Sequence, residues 1–140
     1  MNYFRDLTKT EAFAAYGAKV KNPLNEYSAI ADDGSVVLEC WTHLIDDKRP
    51  DGVWRYEVRD LTSWSNLHGK NLLRDHLEYA ANENKPIRLV LATPKAGAKP
   101  AVAGKDGTKI SKTISTREER IGRLISINDD GFVVDFGKVS

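Results

Sequence analysis

Apolar and polar positions repeat with two different periods along this chain, and the switches between them divide it into elements. Thr8-Lys9-Thr10-Glu11 sets a hydroxyl and a carboxylate at capping-box spacing ahead of Ala12-Phe13-Ala14-Ala15-Tyr16 and Gly17. This predicts a short first helix that stops at the glycine. Asn22-Pro23 and Asp32-Asp33-Gly34 bracket Tyr27–Ile30, and Ser35–His43 follows, so the two runs read as arms of a hairpin. In the second arm Val36, Leu38 and Cys40 fall on one side and Val37, Glu39, Trp41 and His43 on the other, because strand side chains alternate. The first set has core character. Residues 45–52 read as a polar loop, after which Trp54, Tyr56 and Val58 alternate with Arg55, Glu57 and Arg59.

Beyond Trp64 the period changes from two to between three and four. Ser65 or Asn66 can cap a long helix from about Leu67 to Asn84, with Leu72, Leu73, His76, Leu77 and Ala80 forming one apolar stripe. Lys85-Pro86 ends it. Ile87–Ala92 is apolar at almost every position, as a strand buried on both faces would be. Lys109–Thr116 then reads as a polar strand, and Ile121–Ile127 and Gly131–Phe136 as a last hairpin turning at Asn128-Asp129-Asp130. Strands outnumber helices and the tight turns favour antiparallel pairing. The expected fold class is α+β, a curved, mixed but mainly antiparallel sheet or small open barrel with one long helix and one short N-terminal helix.

At 140 residues the chain is one domain's worth, and its 41% apolar and 29% charged residues are ordinary for a globule. No apolar run approaches the roughly 20 residues of a membrane span, and no signal-peptide core follows Met1, so a cytoplasmic protein is expected. The single cysteine, Cys40, excludes an internal disulfide, fits a reducing compartment, and reads as a small core residue rather than a nucleophile.

Charge changes the picture more. Residues 94–123 hold eight basic residues, Lys95, Lys99, Lys105, Lys109, Lys112, Arg117, Arg120 and Arg123, against three acidic ones, a net of +5. The rest of the chain carries 13 basic and 17 acidic residues, a net of −4. The near-neutral total therefore conceals a basic arm on a mildly acidic body, and such an arm attracts polyanions. Its first half, about residues 94–109, is rich in Gly, Ala, Pro and Lys without an apolar period, and is expected to be a flexible loop. Lysines also keep such loops soluble without binding anything.

Enzyme signatures are thin. His43, His68 and His76 show no metal-binding spacing, and His76 on the stripe reads as a partly buried histidine satisfied by a neighbour. Asp75 with Glu83-Asn84-Lys85 echoes a nuclease acid-x-lysine pattern, but on a helix end instead of a strand edge. No phosphate loop or serine-hydrolase elbow occurs, and neither metal nor cofactor is expected. The aromatic residues suggest more. Either the long helix covers the Trp41 face of its strand and leaves that ring in the core, or Trp41 and Tyr56 line a cleft beside the arm, where they can stack on an unstacked base at about 1–3 kcal/mol per base.

Asn25-x-Tyr27-Ser28-Ala29, Val37-Leu38-Glu39-Cys40-Trp41, a Tyr-containing strand, and His76-Leu77 ahead of Ile87-Arg88-Leu89-Val90 together resemble small PUA-like readers of modified DNA that accompany restriction-type proteins. The resemblance covers about residues 20–95. It implies a base flipped into an aromatic pocket, with Trp41 and Tyr56 stacking and Glu39 or His43 bonding the base edge. The expected function is therefore non-enzymatic nucleic-acid binding, to DNA rather than RNA, with the eight cations on phosphates. The alternatives are a protein–protein module that docks on an acidic partner, such as a phage or bacterial defence or counter-defence factor, and a nuclease.

Overall fold

The computed structural model describes residues 7–23, 25–94 and 112–138. Helix α1 (Lys9–Ala14) begins at the expected capping box: Glu11 N–H donates to Thr8 Oγ1 at 3.1 Å and Thr8 N–H to Glu11 Oε1 at 2.9 Å. Helix α2 (Leu67–Asn82) is capped by the Asn66 side chain and buries Leu73, Leu77 and Ala80. Seven strands follow the chain as β1 (Ser28–Ile30), β2 (Val36–Trp41), β3 (Ile45–Asp46), β4 (Trp54–Val58), β5 (Ile87–Pro94), β6 (Lys112–Ile127) and β7 (Phe132–Lys138). They form one sheet in the order β1-β2-β5-β6-β7-β4-β3, antiparallel throughout except for the parallel pair β2–β5.

That order forces the sheet to curl. β2 and β3 lie five strand positions apart, about 24 Å across a flat sheet. Yet only the short 3-10 turn Thr42–Leu44 joins Trp41 to Ile45, and that stretch of backbone spans at most about 14 Å. The sheet therefore bends into an open barrel whose edges do not pair. Across the bend the Trp41 N–H approaches Tyr56 Oη to 3.5 Å, although their strands are not neighbours.

Both faces of the central strands are covered. Directly paired residues share a face, so Glu39, Trp41, Val90, Ala92, Ile114 and Lys112 lie on one side, and Leu38, Cys40, Leu89 and Leu91 on the other. α1 reaches the first side through Lys9, which pairs with Glu39, while α2 reaches the second through His76, which bonds Ser28. All six residues of β2 are buried as a result. The side of β2 that carries Glu39 and Trp41 is thus buried as well as the core-like side.

Residues 45–52 contain the two-residue edge strand β3 where a loop is expected. The two strands expected over 109–116 and 121–127 are, within the described residues, the single long β6. Its pairing with β5 slips: Arg88 faces Ile121 but Val90 faces Thr116. A slip of this size strands backbone groups between the two registers. Tyr16 reaches two of them. Its hydroxyl accepts from the Arg117 N–H at 3.2 Å and donates to the Leu89 carbonyl at 2.8 Å, linking the segment after α1 to the irregularity. Burial pushes the phenol pKa up to about 12, with the Arg117 N–H partly opposing it.

Replacing Tyr16 by Phe removes one oxygen and leaves a partly buried N–H and C=O without that partner. Tyr16→Phe is expected to lower the urea-unfolding free energy by about 1–3 kcal/mol with little change in the slope.

Candidate functional site

Of the eight cations expected in the basic arm, four are among the described residues. Lys95, Lys99, Lys105 and Lys109 lie outside the described residues. The two ends of the connection that carries them are described, because Pro94 pairs with Lys112 at the end of the β5–β6 ladder. Seventeen residues, 95–111, thus leave and rejoin the sheet between adjacent strands, beside the end of β2 where Trp41 faces Ala92.

The other cations of the arm are used within the fold to different degrees. The Lys112 ammonium lies 5.0 Å from the Trp41 ring centroid and 3.8 Å from the Glu39 carboxylate. Its pKa is lowered by burial, against the opposing pull of Glu39. Arg117 donates to the adjacent Thr116 carbonyl. Arg120 is turned onto its own sheet, donating to the Gly52 carbonyl at 2.7 Å and to Phe136 O at 3.3 Å, with its guanidinium 4.3 Å above the Trp54 ring. Arg123 is exposed. The three arginines of β6 therefore do not form one outward row.

The residues assigned to a base are placed differently again. Trp41 is 2% exposed and Tyr56 1%, so neither ring presents a face for stacking. The Glu39 side chain is 1% exposed and pairs with Lys9 at 3.0 Å, which removes it from any base edge. His43 remains exposed, tilted against Trp41 with ring centroids 5.9 Å apart, and desolvation lowers its pKa. Both buried rings serve the barrel: Tyr56 packs on Phe132, and Trp41 lies beneath Lys112.

A second cluster was not anticipated from the sequence. His68, Leu72 and His76 recur at four-residue steps on α2, one face of the helix, and this face looks onto β1 and the chain leading into it. Gly69 permits the close approach, since a Cβ there would overlap the Asn25 carbonyl oxygen. His68 Nε2 lies 2.7 Å from Glu26 Oε2, and Glu26 Oε1 accepts the Asn22 N–H at 3.2 Å. Burial raises the Glu26 pKa, but the bonds from His68 and the Asn22 N–H outweigh it and the net direction is down. Ser28 Oγ lies 2.8 Å from His76 Nδ1. Burial lowers the His76 pKa despite Asp75 and Glu26, favouring the neutral ring. When the hydroxyl donates to Nδ1, the ring proton sits on Nε2.

A serine bonded to a histidine raises the question of nucleophilic catalysis. Ser28 is 1% exposed, so its oxygen is closed to an incoming carbonyl, and the contact orients the imidazole instead. Among the described residues no group of three His, Cys, Asp or Glu side chains could hold a metal ion. Cys40 is buried, which pushes its thiol pKa well up and fits the core role expected of it. Among the described residues no helix is long and apolar enough to cross a membrane. No family model, no curated protein and no solved structure matches this chain.

The lowered pKa of His76 fixes the sign of a pH dependence. The unfolded chain takes up the proton at the ordinary value near 6.5 before the native state does, so this contribution to stability is complete above that pH and is lost below it. Urea midpoints measured at about pH 7.5 and about pH 5.5 are expected to fall on acidification. His76→Gln reduces that fall, leaving the share due to His43.

Proposed function

We propose that this protein binds nucleic acid without cleaving it, and that the contact element is the connection 95–111 between β5 and β6. One observation carries the reading. Four lysines, Lys95, Lys99, Lys105 and Lys109, stand against one acid, Asp106, in a segment of net +3 whose two ends are held side by side at Pro94 and Lys112. Fixing both ends on central strands limits where those cations can go, which reduces the entropy lost when they settle along a phosphate chain. Exposed His43, close to the end of β2, borders the same end of the sheet.

In this reading the affinity comes from phosphates. Trp41, Tyr56 and Glu39 are occupied within the fold, so the base-reading role that a PUA-like domain would give them is not carried into the proposal. Contacts to phosphate position a protein without reading sequence. DNA is the partner proposed first, bound with little discrimination among sequences.

A salt titration of binding to a short DNA duplex tests this. If the four lysines each neutralise about one phosphate, log K falls against log salt with a slope of roughly −3 to −4. Replacing Lys95, Lys99, Lys105 and Lys109 by Ala is expected to remove most of that slope without changing the unfolding midpoint. Salt-independent binding, or an unchanged slope in the quadruple variant, would contradict the proposal. So would a protein partner retained from nuclease-treated lysate in place of DNA.

A further inference from the structure

We infer that the cleft between α2 and β1 is a binding site for a small organic phosphate, with Lys19, Lys21 and His76 as its anion-contacting groups. This stands independently of the nucleic-acid reading, because it rests on different residues. The cleft has a volume of about 390 Å³, within the usual range of small-ligand sites. That is considerably more than a phosphate group fills, so the ligand has a body as well as a charged head.

The chemistry of the walls describes both parts. Lys19 and Lys21 are exposed on either side of buried Val20 and so extend to the same side of the chain. Neither ammonium is ion-paired among the described residues. Glu26, the cleft's carboxylate, is already occupied at both oxygens by His68 and the Asn22 N–H. Two unpaired cations thus face one acid whose charge is answered within the protein, and the site has a positive surplus. His76 adds a neutral imidazole held by Ser28, and with the hydroxyl donating to Nδ1 the ring retains an N–H donor suited to a phosphate oxygen. The remaining wall is apolar: Ala29 and Ile30 from β1 and Leu72 from α2. Ile30 is 43% exposed, an apolar surface that a ligand body would cover.

Another concave surface lacks this surplus. The larger cleft beside His43, about 510 Å³, holds Arg55 and Arg59, but their guanidiniums are bonded to Asp135 and Glu57. A ligand anion there would have to displace a carboxylate. In the α2–β1 cleft nothing has to be displaced.

The test follows the imidazole C–H resonances of the three histidines by NMR during titration with inorganic phosphate and with adenosine 5′-monophosphate. Saturable shifts of His68 and His76 are expected, with His43 unmoved, and with the nucleotide binding at least tenfold more tightly because it also covers the apolar wall. Lys19→Ala with Lys21→Ala is expected to weaken both ligands at least tenfold, while Lys48→Ala, an exposed cation elsewhere, changes nothing. A third arm uses a short oligonucleotide without terminal phosphates. If it shifts His68 and His76 at lower concentration than the monophosphate, the phosphate belongs to a nucleic-acid backbone; if it does not, the ligand is a free small molecule. Shifts that do not saturate, that include His43 equally, or that survive loss of both lysines would overturn the inference.

Discussion

The structure depends on a carboxylate that is almost entirely removed from water. Glu39 sits in the middle of β2, the Lys9 ammonium of α1 lies 3.0 Å from one of its oxygens, and the Lys112 ammonium of β6 lies 3.8 Å from the other. Three segments distant in the sequence are tied at this point. Both lysines also lie against aromatic rings, Lys9 over Tyr27 and Lys112 over Trp41. Removing such charges from water is costly, and the ion pairs offset that cost only while every partner is in place. The cluster therefore specifies where α1 docks as much as it stabilises the docked state.

This arrangement also separates structure from function. Glu39, Trp41 and Tyr56 have the residue types of a base-reading pocket, yet each is buried and committed to contacts inside the fold. What is left over is charge: four lysines in the sequence that connects β5 to Lys112, and the exposed Lys19 and Lys21 pair beside α2. Both proposals accordingly concern anions. They divide between an extended polyanion at the β5–β6 connection and a compact phosphate in the α2–β1 cleft.

Local signals made much of the fold legible. The Thr8 and Glu11 capping box, the Asp32-Asp33-Gly34 turn, the Asn66 cap and the stripe Leu73, Leu77, Ala80 each act over a few residues, and each element appeared where they predict it. The parallel pairing of β2 with β5 and the placing of β3 at the far edge are not encoded locally, and alternation could not reveal that both faces of β2 are covered. The cleft was less legible still. Ser28 meets His76 across 48 residues and Glu26 meets His68 across 42, so no spacing announces either pair. The four-residue steps of His68, Leu72 and His76 were visible, but nothing in them says what they face.

The urea-unfolding free energy of Glu39→Gln tests the central claim most directly. The substitution keeps the shape and removes the charge, leaving two largely buried ammonium groups without it, and a loss of about 3–5 kcal/mol is predicted. A change within about 0.5 kcal/mol, the range of an ordinary surface substitution, would contradict the account and reduce Glu39 to a bystander in β2.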